Sequence, residues 1–377
     1  MKNKIIGVAA LAAFGAAASA HAQSSVTLYG LIDTGIVYTN NQGGHSAWQE
    51  NSNMLSNAVW GLKGSEDLGA GLHAIFRLES GFYAQNGSSY YGNSMFGRQA
   101  YVGLQDDKYG TVTLGRQYDS VVDYLGAIAL ANYGDGNNLA AHPFDNDNID
   151  DSFYINNSIK YTSANYAGVQ FGGVFGFSNQ PGGFSKDRAY SLGASYSNGP
   201  INLAVAYMQL NNGGSIGNGA LSTNDAPNFP AARQRVMGAG GNYTFGPATI
   251  GLLWTHTLFD DTSSGAVSGA MSRLHFNNYE FNAHYALSPA ISLAGAYTFT
   301  EGGYSGSGGS AHPKWHQLTL MADYSLSKRT DVYVESVYQH AYGAAAGSAL
   351  SVADINGLAA SSTQNQLAAT FGIRHRF

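Results

Sequence analysis

The residues of this sequence that could do chemistry are charged, and they fall into two groups. One group is the three arginines Arg77, Arg98 and Arg116. The other is a set of acids in residues 117–152, a long connection between strand-like runs. Guanidinium and carboxylate groups that face each other across water create a transverse field, which orients dipolar solutes and filters ions by charge. The candidate site comprises Arg77, Arg98, Arg116, Asp119, Asp123, Asp135, Asp145 and Asp147.

The acidic connection, residues 117–152, is unusually long for a link between two strands. Connections of this length are usually functional or disordered. It also contains an apolar run, residues 121–131, which an exposed disordered loop would not need. We therefore predict that it folds inward, lies against the wall of the fold and narrows the interior. The arginines could instead simply pair with the loop aspartates and pin the loop, and both roles are compatible.

Strand-like runs of alternating polarity fill the sequence after Gln23, separated by connections of two kinds. Seven are tight, and several hold the Gly or Pro that turns need: 67–71, 106–109, 164–167, 198–200, 245–247, 288–290 and 327–329. Eight are long: 40–53, 83–94, 117–152, 178–188, 211–233, 260–272, 302–313 and 343–362. Fifteen connections make sixteen strands, and short turns at one end with long loops at the other are typical of membrane barrels.

The predicted fold class is all-β, a 16-stranded antiparallel transmembrane β-barrel with an inward-folded third loop. A barrel of this width leaves water in its lumen, whereas about eight strands would be filled by side chains. In the first strand Val26, Leu28 and Ile32 share one face, while Tyr29 and Asp33 share the other. A soluble β-sandwich with the same alternation is the alternative.

The predicted directions of the arginines rest on this alternation. Arg77 lies between two large apolar residues that suit lipid. Arg98 shares its parity with Val102, whereas Tyr101 has the opposite parity and suits lipid. A charged side chain on the lipid face costs about 2–4 kcal/mol at the midplane. We therefore predict that Arg77 and Arg98 face the lumen, and that Arg116 does so if the chain bends towards the acidic loop.

The two ends of the chain fit export to an outer membrane. Residues 1–22 have two lysines, an apolar run and Ala20-His21-Ala22, the layout of a cleaved secretory signal, and cleavage is predicted before Gln23. The mature domain, residues 23–377, then has 355 residues (377 − 22), and its formal charge falls from −6 to −8 as the two lysines leave. This charge gives no support to nucleic-acid binding. The other end alternates strictly and closes on Phe377, which resembles the terminal signal of Gram-negative outer-membrane barrels.

Composition agrees with a strand-built membrane protein. No apolar stretch beyond the leader approaches the roughly 18 residues that a membrane helix needs. Charged residues make up only 11%, while the chain has 49 Gly, 25 Tyr and 18 Phe, which suits a barrel with aromatic girdles. With no cysteine, the exported chain must be held by its backbone hydrogen bonds, all of which a closed barrel pairs.

Several stretches together resemble the Gram-negative general porins, particularly their β-proteobacterial branch. The stretches are 25–30, 60–69, 96–104, 114–119 and 156–161, with the C-terminal ending, and they cover the mature chain from end to end. The resemblance implies a homotrimer of diffusion channels for small hydrophilic solutes and ions, with the third loop folded into each lumen. It also implies a setting of outer-membrane lipid and lipopolysaccharide, with Phe377 recognised by the barrel-assembly machinery.

The sequence also departs from the pattern of this family at three positions. Arg98 and Arg116 sit at matching motif positions, and Arg77 is an addition. The residue before Trp60 is often a basic residue of the constriction, but here it is Val59, and Asp151 and Tyr154 likewise stand where related chains often have arginine. We therefore predict weak charge selectivity, leaning towards cations.

Other functions have less support in the residues. A substrate-specific channel would line its lumen with an aromatic track, for which Tyr29, Tyr118, Tyr124 and Tyr154 are candidates. An outer-membrane barrel enzyme is disfavoured because the one Gly-x-Ser-x-Gly match, 213–217, lacks the strand–turn–helix context. No cofactor or metal site is predicted. Calcium binding by the acids of 145–151 is a minor alternative to a solvated acidic tip.

Overall fold

The structure, a computed structural model, describes residues 25–91, 94–132, 137–225, 227–262, 271–307 and 309–377. The predicted leader, residues 1–22, and Asp135 of the candidate site lie outside these residues. Within the described ranges, no helix is both long and apolar enough to cross a membrane.

The described residues form eighteen strand segments and six short helical turns. The strand segments are β1 Ser25–Gln42, β2 His45–Ser52, β3 Val59–Gly69, β4 Leu72–Gly81, β5 Gln99–Asp106, β6 Gly110–Gln117, β7 Ile155–Thr162, β8 Val169–Gly176, β9 Arg188–Asn198, β10 Ile201–Asn211, β11 Ala231–Phe245, β12 Ala248–Thr262, β13 Met271–Ala286, β14 Ile291–Gly306, β15 Gly309–Ala311, β16 Lys314–Ser325, β17 Thr330–Tyr342 and β18 Asn365–Arg376. The helical turns are Val121–Leu125, Leu130–Asn132, Asn138–Ala140, Pro143–Asp145, Thr223–Asp225 and Ala349–Ser351.

The segments close into one antiparallel barrel. β2 and β3 both pair with β1 and are two parts of a single strand, interrupted at 53–58. β15 only extends the hairpin that leaves β14. Merging these two gives sixteen strands (18 − 2), which confirms the predicted fold class. The barrel closes where β1 pairs with β18, and Phe377 exchanges two backbone hydrogen bonds with Gly30.

The connections follow the predicted division, with two exceptions. All seven tight connections join neighbouring strands. Residues 40–53 and 302–313, predicted as long loops, are instead strand hairpins that prolong the barrel, with turns at 43–44 and near 307. Cross-strand pairing holds both hairpins. The Gly, Asn and Ser residues of these segments suggested loops, but they are compatible with strand pairing. Between Thr262 and Met271 the chain lies outside the described residues.

The strands alternate between an apolar outer face and a polar inner face. Leu28 and Ile36 of β1 are exposed, whereas Asp33 between them is fully buried inside. In β18, Phe371 and Ile373 face outward and Arg374 faces inward. These faces agree with the predicted alternation, and they leave the interior to polar side chains and to the loops that fold into it.

Candidate functional site

The third loop, between β6 and β7, lies inside the barrel as predicted. Its apolar run packs on the inner wall of β9–β12, where Tyr124, Leu125 and Ile128 are buried. A glycine of the wall lies opposite each of these three side chains. A Cβ on Gly193 would stand 2.2 Å from the Tyr124 ring, and one on Gly238 would stand 2.6 Å from Leu125. The glycines let the loop approach the strands closely, which brings its second half across the lumen.

His142 fixes this second half of the loop to the barrel wall. Its ring is fully buried, with Nδ1 2.7 Å from Asp147 and Nε2 3.1 Å from Glu280 of β13. Burial disfavours the imidazolium, but the charge of Asp147 and hydrogen bonds to both carboxylates outweigh it and raise the pKa of His142 to about 10. Asp147 also accepts a hydrogen bond from Thr255 of β12. The loop is therefore held by a buried cation between two carboxylates.

Most of the predicted loop acids support the loop from within and do not face the lumen. Asp119 is fully buried and accepts from Val121 N and Asn148 Nδ2, and burial raises its pKa to about 6. Asp145 accepts from two backbone amides of the same loop, at 150 and 152. Asp123 pairs with Lys160 of β7. The prediction that these acids and Asp147 face the arginines is therefore wrong, because the groups that bind them are backbone amides, Asn148, Lys160 and His142.

The charged groups that do face each other line a lumen pocket of about 270 Å³. Its cations are Arg77, Arg98 and Arg376, and its carboxylates are Glu79, Asp150 and Asp151. We call these six residues the constriction cluster. Val59, where a basic residue was expected by family resemblance, also lines this pocket. The pocket therefore contains as many carboxylates as guanidinium groups.

Arg98 is the centre of the constriction cluster. Its guanidinium donates hydrogen bonds to Glu79 at 2.9 Å and to Asp151 at 2.9 and 3.2 Å. Tyr118 lies 2.6 Å from the same group. Arg77 pairs with Glu79 from the other side and donates to Tyr29 at 2.7 Å. Both arginines face the lumen as predicted, and each holds a carboxylate.

The side chain of Arg98 points inward as predicted, but the alternation of β5 is not the reason. Val102 is exposed on the outer face and Tyr101 points inward, the reverse of the prediction. Arg98 precedes the first residue of β5, Gln99, so the alternation of the strand does not include it. The side chain points inward because the chain is irregular at this position.

Arg116 does not line the lumen pocket. A bulge at the end of β6 turns it away, and its guanidinium pairs with Asp225 of the connection between β10 and β11 at 2.8 and 2.9 Å. It also donates to Gly97 O at 2.7 Å and stacks on Tyr154, whose ring centroid is 4.9 Å away. Its predicted place in the constriction is wrong, since the bulge breaks the alternation.

Two further segments reach into the lumen. Residues 53–58 turn inward, and Asp33 accepts hydrogen bonds from the amides of Leu55 and Ser56 at 2.8 and 2.5 Å. In the last loop, 343–364, Ile355 is buried and Asn356 donates to Asp150 at 3.0 Å. The third loop thus lies between two inward segments, and three chain segments rather than one narrow the interior.

Sequence reasoning missed Glu79, His142, Asp33 and the role of Asp151. Only Glu79 carried a clear signal, because it shares the face of Arg77 two residues away. Of the candidate aromatic track, Tyr29 and Tyr118 line the pocket, whereas Tyr124 and Tyr154 are buried in packing. Among the residues that the structure describes, no three His, Asp or Glu side chains are arranged to hold a metal ion.

Comparisons with known proteins agree with the barrel fold. A family model described as Gram-negative porin matches residues 7–344. An outer membrane porin protein of Bordetella pertussis is 31% identical over the whole of both chains. Outer membrane porin protein 32 of Delftia acidovorans is 30% identical over 88% of each chain. The solved structure of the anion-selective porin from Comamonas acidovorans aligns with a TM-score of 0.72 at 25% identity, covering 94% of this chain and 100% of that one.

Proposed function

Since the chain belongs to the family of Gram-negative porins, we propose that it is a general diffusion channel for small hydrophilic solutes and ions, weakly charge-selective through its constriction cluster. It is an outer-membrane channel protein and not an enzyme. The observation that carries the finer proposal is the lumen pocket itself, in which three guanidinium groups face three carboxylates. Opposed charges across water produce a transverse field without a large net potential.

The expected selectivity is close to neutral, leaning towards cations. Arg98 is neutralised by Glu79 and Asp151, and Val59 adds no positive charge to the pocket. The predicted mature charge of −8 acts in the same direction. This expectation differs from the name of the Comamonas acidovorans protein, which is anion-selective.

The proposal extends to processing and assembly. It includes cleavage of residues 1–22, leaving residues 23–377 as the barrel domain, and assembly as a homotrimer in lipid and lipopolysaccharide. The family resemblance supports these parts. Mass determination of the native protein, before and after denaturation, tests both the cleavage site and the stoichiometry.

The zero-current potential in a planar bilayer under a KCl gradient tests the channel and its selectivity. A value near zero or of the cation sign supports the proposal, and a clear anion-selective potential would overturn the selectivity. Absence of any conductance would overturn the channel itself. A conductance blocked by one solute at low concentration would point instead to a substrate-specific channel.

Replacing Asp151 with Asn tests whether the constriction cluster sets the charge selectivity. Removing this carboxylate leaves Arg98 less neutralised, so the anion-to-cation permeability ratio should rise about fivefold, since a unit charge near 4 Å is worth about 1 kcal/mol in water. The matched control is Asp107→Asn in the exposed β5–β6 turn, which should leave the ratio unchanged. Equal ratios in both variants would place selectivity elsewhere.

A further inference from the structure

The buried carboxylate of Glu335 lies behind the third loop and takes no part in the ion groups described above. It points inward from the middle of β17, and its side chain is only 2% exposed. Among the residues that the structure describes, neither of its carboxylate oxygens has a hydrogen-bond partner. Asp33, another buried carboxylate of this wall, accepts hydrogen bonds from Tyr333 and from two backbone amides. A buried carboxylate without such partners is strongly unfavourable, so Glu335 has to be neutralised by a bound proton or a bound cation.

Further unpaired oxygens lie beside Glu335. Thr370 of β18 stands directly opposite it in the sheet, and Thr370 Oγ1 is buried with no hydrogen bond to any described residue. Asn137 of the third loop reaches the same row, because its Nδ2 is 3.6 Å from Sδ of Met321, the residue opposite Glu335 on β16. The Asn137 amide approaches Glu335 without full hydrogen-bond geometry, and its Oδ1 is also buried and unpaired. Two strands and the third loop thus bring unpaired oxygens to one place.

The three side chains need a bridging atom, because no hydrogen bond of full geometry joins them within the described part of the chain. Carboxylate, amide carbonyl and hydroxyl oxygens are the ligands that hard cations prefer. One carboxylate among neutral oxygens supplies a single negative charge, which a monovalent cation balances. A divalent cation would leave a net positive charge in a buried place, which is costly. The ligand set therefore fits an alkali cation better than calcium.

The site has a short path to water. Asn138, the residue that follows Asn137, lines the lumen pocket. The unpaired oxygens therefore lie close behind the surface of the lumen, between the third loop and the wall. The formal charge of −6 on the chain also raises the concentration of cations near it. A cation can reach the site from the lumen without crossing the barrel wall.

We infer that Glu335, Thr370 and Asn137 form a binding site for an alkali cation, which joins the third loop to β17 and β18. Binding is an exchange, in which the cation enters as Glu335 releases its proton to water, so the buried region stays neutral. The cation is then a second ionic attachment of the loop, beside the buried His142 group. The inference goes beyond the proposed channel and does not depend on its charge selectivity.

Anomalous diffraction from crystals of the protein soaked in thallium(I) acetate tests the site directly, because Tl⁺ replaces alkali cations and scatters strongly. A peak should lie within bonding distance of the Glu335 carboxylate and of Thr370 Oγ1. Glu335→Gln should lose this peak. The matched control is Glu301→Gln, which removes a partly exposed carboxylate from β14 and should keep the peak. Absence of the peak in the wild type, or its persistence in Glu335→Gln, would overturn the inference.

Thermal unfolding in solution gives a second readout, which a purely structural role of Glu335 would not produce. With choline chloride holding the ionic strength constant, the wild-type midpoint should rise by about 2–4 °C for each tenfold increase in NaCl above half-saturation. Thr370→Val, which keeps the charge and removes one oxygen, should need at least tenfold more sodium for the same rise.

Glu335→Gln should unfold at a temperature that does not depend on sodium. Because the amide removes the buried charge, this variant should be at least as stable as the wild type in choline chloride alone. Glu301→Gln should respond to sodium as the wild type does. An equal sodium response in the wild type and Glu335→Gln, or no response in the wild type, would contradict cation binding at this site. Since neither readout is a conductance, failure of the channel proposal would leave both results interpretable.

Discussion

His142 is buried between Asp147 of the third loop and Glu280 of β13. Its positive charge attracts both carboxylates and so holds the loop to the barrel wall. Its pKa is raised from about 6.5 in an unfolded chain to about 10 in the fold. A raised pKa means that the protonated form is the one stabilised by folding. Its contribution is therefore fully present below pH 6.5 and is lost as the pH rises through 10.

Replacing His142 with Gln should destabilise the loop and remove this pH dependence. Two buried carboxylates would lose their shared cation, and removing one member of a buried ion group costs about 3–5 kcal/mol. The unfolding temperature of the wild type should fall as the pH rises from 6.5 to 10. The variant should unfold at a lower temperature that stays nearly constant across the same pH range. His375→Gln on the exposed outer face of β18 is the control. A wild-type-like midpoint in His142→Gln would contradict the ion-group account.

At the residue scale, alternation predicted the orientation of Arg77 correctly but reversed Tyr101 and Val102 inside β5, and it fails where strands end or bulge. Arg77 lies within β4, and its lumen orientation followed from alternation. Arg98 precedes β5 and Arg116 sits at a bulge, so neither obeys a two-residue period. The partners of the loop acids depend on His142 and Lys160, whose contacts arise only from the tertiary fold.

At the scale of elements, the third loop depends on the glycines of the wall that it covers. Replacing Gly193 with Val should push Tyr124 off β9, because the new Cβ would lie 2.2 Å from its ring. Overpacking of this kind costs about 1–3 kcal/mol. The expected result is a larger, noisier single-channel conductance. Gly217→Val, in the exposed connection between β10 and β11 where an added Cβ meets no atom within 4 Å, should conduct like the wild type.

The last loop gives a second prediction at this scale. Ile355 packs with Met54 and Leu139, so one side chain joins all three inward segments. Replacing it with Ala should cost about 2–5 kcal/mol through the cavity it leaves. We expect the last loop to become susceptible to protease in folded protein, and Leu287→Ala at an exposed turn to remain resistant. Resistance in Ile355→Ala would mean that hydrogen bonds of the loop, such as Asn356 to Asp150 and the Ile355 amide to Gln366, are enough to hold it.

The sequence specified short connections better than long ones. A turn such as 245–247 needs Gly or Pro at a fixed place, and its chemistry is local. Residues 40–53 and 302–313 have loop-like composition, yet cross-strand pairing holds them as hairpins. A long segment can extend a strand, fold inward or stay outside. The choice depends on its contacts with distant parts of the chain, which a local sequence pattern does not show.

For the whole molecule, the closing seam between β1 and β18 is the decisive contact. Tyr333 of β17 lies over Gly372 of β18 and donates to Asp33 of β1 at 2.6 Å, so one phenol spans three strands. Replacing Gly372 with Val would place its Cβ 2.3 Å from that ring. We expect the barrel to denature in SDS at a lower temperature, with Gly217→Val, where an added Cβ meets no atom within 4 Å, as control. An unchanged denaturation temperature would show that the seam does not limit stability.

The hydrogen bond from Tyr333 to Asp33 joins residues 300 positions apart. Contacts of such long sequence separation form slowly, because loop-closure entropy must be lost before they stabilise anything. Each earlier hairpin can form locally, but the first strand has an unpaired edge until the last one arrives. During that delay the chain exposes apolar outer faces and open strand edges to water. Its biogenesis therefore favours a partner that shields the chain until the barrel closes. The rate of closure, rather than the stability of the finished barrel, then limits how much protein folds correctly.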